Sequence, residues 1–598
     1  MVMLRRGLGL VLLCATGHVF SADIVVTTTE DITKNDDQCS LREAIEYINQ
    51  GKPEAGLNGC GGKDATDNII LSTKEYLLNE QVRISKPMVF RTQYETTIVD
   101  DIPGTKNAVI TMKGTDRIFH IERIRPKADD EIRDAAIGVE FYEITLQGCT
   151  ASVCKDKGGL ILNYERLKFD KSHLINGKAN FGGAIYNVES FIESETSKIR
   201  SARVNLVNSL LENNQAQQGA VLYSEFPDFD ISASVIKGNK TTDSEGFAIY
   251  SHKVLSEDET KVSNLNYAKV INSTIFNNKG YIINVKDGIE LNNNTLVFND
   301  FGLIFNAPFK KALLTNNIIA KNGNRDCRVE TAIDQSNLNN NLYGFGCEGT
   351  ASEKLGERTL LAGTDVEGEC DVNSSGILCP FKVYSGYALG YFRPRVLPSY
   401  RQLTDSPIIN RGPDSNGTSC EIVDQRGNAR KDRILCDRGA IELIQSSTSS
   451  GRFGKDIFYG EIVKLNINDF LGDGELIPAS QCDALVGPHP KKEEWQAGCM
   501  IIQQNNSPSK GKAELLQNGE FTYTPQGNWH GTDDFKVLVV VSTRQLNESM
   551  NPYIEIPTVI KQDPRDTYTS DKVKTSGGGL GLISVLGLMT LIAIRRKK

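Results

Sequence analysis

Cysteine is the reactive residue type that recurs most regularly along this chain. The sequence has 13 cysteines, and the first, Cys14, lies in an N-terminal segment that we expect to be removed. The others form neighbouring pairs in the sequence: Cys39 with Cys60, Cys149 with Cys154, Cys327 with Cys347, Cys370 with Cys379, Cys420 with Cys436, and Cys482 with Cys499. An even number of cysteines is typical of proteins that fold in an oxidising compartment. We predict six local disulfides and no zinc site, because no pair has histidine neighbours at ligand spacing.

Histidines and carboxylates could also do chemistry, but their spacing predicts no catalytic residue. The histidines after the N-terminal segment are His120, His173, His252, His489 and His530, and none has metalloprotease spacing. The doublets Asp100-Asp101 and Asp129-Asp130 would suit a glycosidase only with carboxylates about 5–9.5 Å apart, and adjacent strand residues face opposite sides. No serine has the flanking glycines of a nucleophile elbow. We predict a non-enzymatic protein; the alternative is a polysaccharide lyase or hydrolase.

An asparagine motif repeats in the middle of the chain and predicts the elements there. It reads Asn-(Ser/Asn)-x-(Ile/Leu)-x-x-Asn, and its copies start at Asn208, Ala233 (degenerate), Asn272, Asn293 and Asn316, spaced 25, 39, 21 and 23 residues apart. A Gly-Ala-Ile-Tyr type of motif is interleaved at 183–187, 219–223, 247–251 and 302–306. Such periods are typical of a parallel β-helix. A β-sandwich with similar strand spacing is the alternative.

We therefore predict an all-β chain with a right-handed parallel β-helix over residues 61–444. The apolar residues Leu211, Ile275, Leu296 and Ile319 are expected to stack in rows inside it. The recurring asparagines should bond between coils as ladders and occupy left-handed corners. Both ends of a solenoid need a cover. Residues 36–50 predict an N-terminal capping helix, with Ser40 as N-cap and Glu43 completing a capping box.

A second, smaller domain is predicted after a flexible linker at 445–456. Alternation around Phe521 and Tyr523 predicts a half-buried strand, and residues 457–560 are similar to the cadherin-like or Ig-like β-sandwich repeats of bacterial surface proteins. Asn468, Asp469 and Asp473 stand where related domains carry acidic turn residues. Because calcium takes six to eight oxygen ligands, we predict a turn-stabilising role and no cofactor, with calcium as the alternative.

Both ends of the chain carry targeting features. Arg5 and Arg6 precede a short apolar core and a small-residue cleavage site, so residues 1–21 predict a signal peptide. After a spacer at 561–576, Gly577, Gly578 and Gly579 open a charge-free run over 580–594 that ends in Arg595, Arg596, Lys597 and Lys598. With its glycines this run is long enough for a transmembrane helix, and the basic end predicts a cytoplasmic C-terminus.

Several segments resemble one family of secreted proteins. Cys39, Ser40, Leu41, Arg42, Glu43 and Ala44 form the CSLREA motif of bacterial secreted β-helix proteins. Residues 405–412, 424–427 and 436–442 resemble the closing segment of the same proteins, and the tail is similar to a GlyGly-CTERM sorting signal. Taken together, the chain resembles the rhombotarget A family. The domains expected are then a signal peptide, a CSLREA cap (22–60), the β-helix, the sandwich and the sorting tail (577–598).

The resemblance implies a route and partners. The Sec machinery would export the chain, and the tail would hold it in the inner membrane of a Gram-negative bacterium. The rhomboid-family protease rhombosortase would cleave it at the glycines, and type II secretion would release it or place it on the surface. The net charge of −8 argues against nucleic acid. Adhesion to a glycan or protein is the predicted role, and a membrane-tethered spacer is a further alternative.

Overall fold

The computed structural model describes most of the chain between residues 22 and 564. The described ranges are 22–94, 102–124, 136–193, 198–200, 202–252, 268–285, 288–305, 311–329, 338–349, 351–384, 386–412, 420–430, 435–444, 453–471, 473–490, 495–503, 507–515, 519–543 and 553–564. They fall into two compact units. The first is drawn from Met1–Ser447, Leu471–Cys499 and Val540–Ile554, and the second from Thr448–Phe470, Met500–Val539 and Glu555–Lys598.

Three long parallel sheets build the first unit, and the chain visits them in turn. The first sheet contains Ala22–Val25, Ala65–Ser72, Met88–Gln93, Gly138–Tyr142, Arg166–Asp170, Arg203–Val207, Phe229–Ser232, Ala268–Ile271, Gly288–Asn292, Lys311–Thr315 and Leu338–Asn339. The second contains Glu75–Leu78, Ala108–Met112, Ile144–Gln147, His173–Ile175, Leu210–Glu212, Val235–Lys237, Thr274–Phe276, Thr295–Val297, Ile318–Ala320, Leu342–Tyr343 and Glu353–Lys354. The third contains Val82–Ile84, Phe119–Ile121, Ile161–Asn163, Ile185–Asn187, Leu222–Ser224, Phe247–Ser251 and Tyr281–Val285.

This winding is consistent with a parallel β-helix and confirms the predicted mostly-β fold with long parallel sheets. Its handedness stays a prediction. Two-stranded sheets lie beside the long ones: Lys155–Lys157 with Ala179–Phe181, Phe191–Glu193 with Lys198–Arg200, Gln215–Ala216 with Lys240–Thr241, and Leu303–Phe305 with Cys327–Val329. Every pairing in the three long sheets that the register describes joins one coil to the next, as in the pairs of Leu211 with Ile236 and Ile275 with Leu296.

Inward-facing side chains stack in rows through the solenoid. In the early coils of the first sheet, Phe90, Phe141 and Phe169 stack with centroids 4.6 Å apart at both steps. The predicted inward residues Leu211, Ile275, Leu296 and Ile319 are fully buried in the second sheet. Because strand residues alternate between the two faces of a sheet, the next residues along each strand point outward, and these outer faces differ from sheet to sheet.

Asparagine side chains form the predicted ladders between coils. Asn214, Asn239, Asn278, Asn299 and Asn322 are each 3% exposed or less. At every step the backbone N–H and the Nδ2 of one residue donate to the side-chain oxygen of the next, at 2.8–3.1 Å. The run ends where Asn322 donates to Oδ1 of Asp326 at 2.9 and 3.0 Å. Buried amides that bond in this way are satisfied and fix the register of the coils.

The first asparagine of each repeat occupies a left-handed corner. Asn208, Asn272, Asn293 and Asn316 have φ values of 47°, 48°, 52° and 57°. Asparagine tolerates this region better than other non-glycine residues because its side chain bonds locally. The residue after it forms a second ladder, in which Asn294 donates to Asn317 and Asn317 to Asn341, each from the backbone at 2.9 Å. The repeat thus encodes both a turn and a coil-to-coil bond.

Residues 39–44 contribute to a structural cap through packing, a disulfide and hydrogen bonds. The helix Leu41–Asn49 begins after Ser40, and the predicted capping box with Glu43 is present. Leu41 and Ala44 are buried in the core, and Cys39 bonds to Cys60. Arg42 makes two hydrogen bonds to the carboxylate of Asp31, at 2.6 and 2.9 Å. The motif therefore anchors the first coils and presents no free reactive group.

The segment that follows the last coil packs along the side of the solenoid. We call residues 355–444 the cover. Its apolar residues form one core with outward residues of the second sheet, which include Val235, Phe276, Val297, Ile318 and Leu342. Phe276 lies 4.4 Å from Phe381 and 5.2 Å from Phe392, measured between ring centroids. The cover contains the predicted closing segments, but it lies over a flank across several coils.

The corner asparagines hold the cover in place. Arg430 donates to Oδ1 of Asn272 at 2.8 Å, and Arg438 donates to Oδ1 of Asn340 at 2.9 Å. The backbone N–H of Glu421 donates to Oδ1 of Asn293 at 3.0 Å. The repeat that builds the solenoid therefore also supplies a row of acceptors for the cover.

All six predicted cysteine pairs form disulfides, with Cα atoms 4.8–6.1 Å apart. They staple the N-terminal cap, the coils, the cover and the short helix Cys482–Val486. The bonds join Cys39 to Cys60, Cys149 to Cys154, Cys327 to Cys347, Cys370 to Cys379, Cys420 to Cys436, and Cys482 to Cys499. The local pairing expected from the spacing is therefore confirmed at every pair.

The remaining short helices and the region of the predicted second domain complete the description. The helices are 3-10 turns at Leu403–Asp405, Ile467–Phe470, Ala479–Gln481 and Ala497–Cys499. Two small sheets follow: one orders Asp456–Phe458, Tyr553–Asp563, Gly531–Val540 and Ile501–Ile502, and the other orders Val463–Asn466, Glu520–Pro525 and Gly511–Leu515. The rings of Phe521 and Tyr523, in the three-stranded small sheet, each lie 6.0 Å from the ring of Phe535 in the four-stranded small sheet.

The predicted membrane-targeting segments lie outside the described residues. These are the signal peptide at 1–21 and the tail at 577–598. In the described ranges no helix combines the length and apolar character needed to cross a bilayer.

Candidate functional site

The outer face of the third sheet carries a row of tyrosines. Tyr186, Tyr223 and Tyr250 follow one another in register across three coils. The rings of Tyr186 and Tyr223 stack with centroids 4.8 Å apart, and those of Tyr223 and Tyr250 lie 5.2 Å apart. Adjacent parallel strands lie about 4.8 Å apart, so the solenoid itself sets the ring spacing.

Further rings extend this row toward the later coils. Phe247 lies 5.7 Å from Tyr250 and 5.3 Å from Tyr281, and Tyr281 lies 4.8 Å from Phe301. We call Tyr186, Tyr223, Phe247, Tyr250, Tyr281 and Phe301 the aromatic strip. Tyr186, Phe247 and Tyr223 are buried, at 3%, 6% and 9% exposed, whereas Tyr250 and Tyr281 are half-buried and Phe301 is 40% exposed. The strip therefore reaches solvent mainly at Phe301.

Charged groups at the early end of the strip are paired with one another. The Tyr186 hydroxyl donates to Glu225 at 2.6 Å, and Lys157 lies 4.6 Å above the Tyr186 ring and 4.0 Å from Glu225. Burial and the adjacent Glu225 carboxylate raise the pKa of Tyr186 well above its usual value. Burial raises the pKa of Tyr223 to about 12. Both hydroxyls therefore stay protonated at physiological pH, so Tyr186 acts as a hydrogen-bond donor.

Amide and carboxylate side chains line one edge of this face. They stand on the turns that lead into the third sheet, where Phe181 pairs in register with Lys157 and Gln218. Asn180 donates to Asp156 at 2.8 Å, Gln217 donates to Asn180 at 3.4 Å, and Gln218 donates to Asp243 at 3.4 Å. We call Asp156, Asn180, Gln217, Gln218 and Asp243 the polar rim. Asp156, Gln217 and Asp243 are exposed.

This arrangement suits binding better than catalysis. Glu225 is the carboxylate closest to the rings that the described contacts reveal, and it accepts from the Tyr186 hydroxyl and from the backbone of Glu189 at 2.7 Å. A general acid needs a partner carboxylate across the scissile bond, and no such pair occurs among the described contacts of this face. Aromatic rings beside a few polar groups are typical of ligand sites.

Asp473, one of the acidic turn residues, is engaged by the protein itself. The carboxylate of Asp473 accepts from Arg426 at 2.8 Å and from the backbone of Ile444 at 2.8 Å. Asn468 is exposed. The one cluster of possible metal ligands in the described residues joins Cys370, Cys379 and Glu475. Its cysteines are in a disulfide and its carboxylate is bound by Arg395 at 2.7 and 2.9 Å, so these groups do not fit a metal.

The histidines are scattered and serve local packing. His120 lies 3.3 Å from Glu122, and burial lowers its pKa. His173 lies in the second sheet, and burial lowers its pKa to about 4. His252 lies 6.4 Å from Tyr223 at the edge of the strip, His489 contacts Trp495, and His530 lies 3.1 Å from Asp563. They do not converge on one site.

The remaining sequence-based sites fall outside the described residues. They are Asp100, Asp101, Asp129 and Asp130 and the tail residues Gly577, Gly578, Gly579, Arg595, Arg596, Lys597 and Lys598. No protein-family model matches this chain, and no curated protein matches it. The aromatic strip was missed from the sequence, although the second repeat motif carries its signal: Tyr186, Tyr223 and Tyr250 end or nearly end successive copies.

Proposed function

We propose that this chain is an exported, non-enzymatic surface protein that acts through its solenoid and is processed at its C-terminal tail. The observation that carries the proposal is the complete set of six disulfides, because such pairs persist mainly in oxidising compartments. The signal-peptide features and the glycine-led apolar tail support the same route. The right-handed β-helix, the cadherin-like or Ig-like sandwich and the membership of the rhombotarget A family are parts of this proposal.

The tail is proposed to be a temporary membrane anchor and a protease substrate. The glycines at 577–579 would weaken the helix where it leaves the inner membrane on the side away from the cytoplasm. An intramembrane serine protease could then reach the peptide bond. The basic end at 595–598 would stay in the cytoplasm. Rhombosortase is the proposed protease, and type II secretion is the proposed route afterwards.

Intact-mass analysis of the protein isolated from the cell envelope and from the medium tests this step. We expect a C-terminus close to residues 577–579. A mature form that still ends at Lys598 would refute processing and would favour a permanently tethered spacer. A variant with Gly577, Gly578 and Gly579 replaced by leucine should keep the full-length mass and stay in the membrane. Its matched control, Ser584→Leu, should be processed like the unchanged protein.

The interaction role is proposed to reside on the outer face of the third sheet. Phe301 at its later end is 40% exposed and stacks on the half-buried Tyr281, and exposed apolar groups that adjoin one another can mark an interaction site. Incubation with a panel of polysaccharides distinguishes binding from the alternative enzyme role. Release of reducing ends or unsaturated products would replace the proposal with a carbohydrate-active enzyme.

A further inference from the structure

One of the disulfides differs from the others in its surroundings. Cys370 is half-buried, whereas all the other bonded cysteines are 5% exposed or less. Its partner Cys379 is fully buried, and Nη2 of Arg393 lies 3.0 Å from the Cys379 sulfur. The other disulfide sulfurs with described polar contacts face backbone carbonyl oxygens or the amide of Asn293. One bond therefore combines an accessible sulfur with a buried sulfur beside a cation.

These two features suit thiol–disulfide exchange, in which a thiolate attacks one sulfur and the other sulfur leaves. The chain neighbours of Cys370 over 367–373 are all exposed, so an attacking thiolate can approach this sulfur from solvent. Cys379 is then the leaving group, and its new negative charge forms 3.0 Å from the guanidinium of Arg393. Arginine stays protonated in proteins. A cation stabilises the departing thiolate, which speeds the exchange and favours the reduced form.

The acidic neighbours of the bond do not cancel this effect. Oε1 of Glu475 lies 3.4 Å from the buried sulfur, but Arg395 donates two hydrogen bonds to that carboxylate, at 2.7 and 2.9 Å. Arg393 also donates to it, at 3.0 Å. The carboxylate of Asp473 is paired with Arg426 at 2.8 Å. Two guanidinium groups against the one carboxylate of Glu475 leave a net positive charge beside the sulfur.

The loop that the disulfide closes also holds Arg395. The backbone carbonyls of Val372, Ser374 and Gly376 accept from its guanidinium at 3.1, 2.9 and 2.8 Å. These bonds fix the side chain that binds Glu475, and Glu475 belongs to the segment Leu471–Cys499 of the same compact unit. The covalent closure of the loop is thus connected, through one arginine, to the contact between the cover and that segment.

We propose that the disulfide of Cys370 and Cys379 is a redox-sensitive latch, which a dithiol reductant opens in the folded protein. A thiolate of the reductant attacks the Cys370 sulfur, the S–S bond breaks, and its electron pair stays on Cys379 beside Arg393. The second thiol of the reductant then attacks the mixed disulfide at the reductant's own sulfur and releases Cys370. The reductant leaves as a disulfide, and the protein has gained two electrons and two protons. The opened loop holds Arg395 less firmly, which loosens its contact with Glu475.

The first test compares all the disulfides of the exported protein, purified in detergent without denaturation. The protein is incubated with dithiothreitol for graded times, new thiols are alkylated, and peptide mass spectrometry locates them. We expect Cys370 and Cys379 to be alkylated first, about tenfold faster than any other pair. Equal rates for all pairs, or earlier alkylation of another pair, would overturn the proposal.

A charge variant tests the role of Arg393 as a positioning residue. Arg393→Leu should slow the reduction of this disulfide about tenfold, because the departing thiolate loses its cation. Arg393→Lys keeps the charge and should restore most of the rate. A merely structural role has the opposite sign, since a looser loop would expose the bond and speed its reduction. Faster or unchanged reduction in Arg393→Leu therefore overturns the assignment. Cys420 and Cys436 in the same sample are the internal control, whose rate should not change.

Hydrogen–deuterium exchange tests whether the bond acts as a latch. The double variant C370S/C379S represents the open form and should exchange faster around Glu475 than the disulfide-bonded protein does. The matched control C149S/C154S removes another short-loop disulfide and should leave exchange around Glu475 unchanged. Mild reduction of the unchanged protein gives the same comparison without a substitution. Unchanged exchange around Glu475 after the bond is opened, or an equal rise in the control, would overturn the latch.

Discussion

The outer faces of the second and third sheets both carry apolar side chains, but they differ in how far the chain covers them. On the second sheet, Phe276 is fully buried because Phe381 and Phe392 of the cover pack on it. Next to the last strand of the third sheet, Phe301 is 40% exposed and stacks on Tyr281. The first face is therefore part of a core, whereas the row of rings along the second reaches solvent at its later end.

The two faces differ because the chain covers one of them with a later segment. An apolar outer row costs solubility unless something covers it. The chain offsets that cost on one side with its own residues 355–444, whose hydrogen bonds to the corner asparagines fix their position. On the other side the rings pack mainly on one another, from Tyr186 to Phe301. Substitutions that stress each face should therefore give different readouts.

The largest effect is expected from the buried ion pair between the cover and Glu475. The side chain of Arg395 is 0% exposed and binds Glu475 through two hydrogen bonds. Arg395→Leu leaves a buried carboxylate with Arg393 as its remaining cation, and should lower the free energy of unfolding by about 3 kcal/mol or more. Chemical denaturation measures it. The double variant R395L/E475L should recover most of the loss; if it is as unstable as R395L, the pair is not the cause.

Aromatic truncation compares the two faces directly. Phe276→Ala should cost about 3 kcal/mol in the free energy of unfolding, because it opens a cavity beneath the cover. Phe301→Ala should cost less than about 1 kcal/mol, since much of that ring is already exposed. Parallel urea titrations give both values. Equal losses would mean that the third-sheet face is as closed as the second.

A substitution in the asparagine ladder, which lies between the two faces, should lower the free energy of unfolding by an intermediate amount. Asn278 bonds to Asn299, Phe276 and Ile236 and accepts from Asn239. Asn278→Ala leaves those buried groups unpaired and should cost about 2 kcal/mol. Asn213→Gly is the matched control: Asn213 is exposed at φ 56°, a conformation glycine adopts freely. A loss in the control as large as that in Asn278→Ala would argue against the ladder.

Acid should weaken the covered side through His173. Its pKa is lowered from the usual 6.5 to about 4, and it pairs in register with Leu210, which packs against the cover. The unfolded chain takes up a proton below pH 6.5 while the folded chain does not. Stability is therefore complete above that pH and falls toward pH 4, by about 1–2 kcal/mol between pH 7 and pH 5. His173→Phe should flatten the slope over that interval, and an unchanged slope would contradict the assignment.

The smallest effect is expected at the exposed edge of the cover. Lys382 lies 2.6 Å from Glu369, whose side chain is 82% exposed. Solvent screens such a pair, so Lys382→Ala should change the free energy of unfolding by less than about 1 kcal/mol. A larger loss, seen in the same urea titrations, would show that the edge of the cover is as tightly coupled as its centre.

Local periodicity made most of the solenoid predictable, while the lateral contacts were not. The asparagine repeat predicted ladders at Asn278 and corners at Asn272, because both are consequences of one coil's sequence and its neighbour. The position of the cover depends on pairings such as Phe276 with Phe381, more than a hundred residues apart, for which a single sequence carries no period. The capping helix was predictable since its signals lie within four residues.

The disulfides were predictable for a related reason. Cys149 and Cys154 are five residues apart, and even Cys39 and Cys60 are only 21 apart. Neighbours this close need little chain to be ordered before they meet. Pairing each cysteine with the next therefore gave the observed bonds without knowledge of the fold.

The candidate site could not be predicted for the same reason as the cover: both depend on contacts between residues far apart in the sequence. Tyr186 and Tyr223 stand in a repeat that the sequence reveals, but whether such rings become core or surface depends on which flank the chain later covers. The acidic turn was also ambiguous: Asp473 is engaged by Arg426, a residue from another segment. Sequence spacing alone gave no sign of that arginine.

The asparagine ladder has a direction, and this bears on how such a chain can change length. From Asn214 onward each side-chain amide donates one hydrogen to the next asparagine of the ladder and also donates to a backbone carbonyl of the preceding coil. At the end of the ladder Asn322 donates to Asp326, whose carboxylate needs no further acceptor. A whole coil could be gained or lost between these ends, since each new rung would present the same donor and acceptor as the last. Asp326 ends the ladder because its carboxylate accepts hydrogen bonds and donates none. Duplication of coils would therefore add whole rungs in one orientation, between Asn214 and this aspartate.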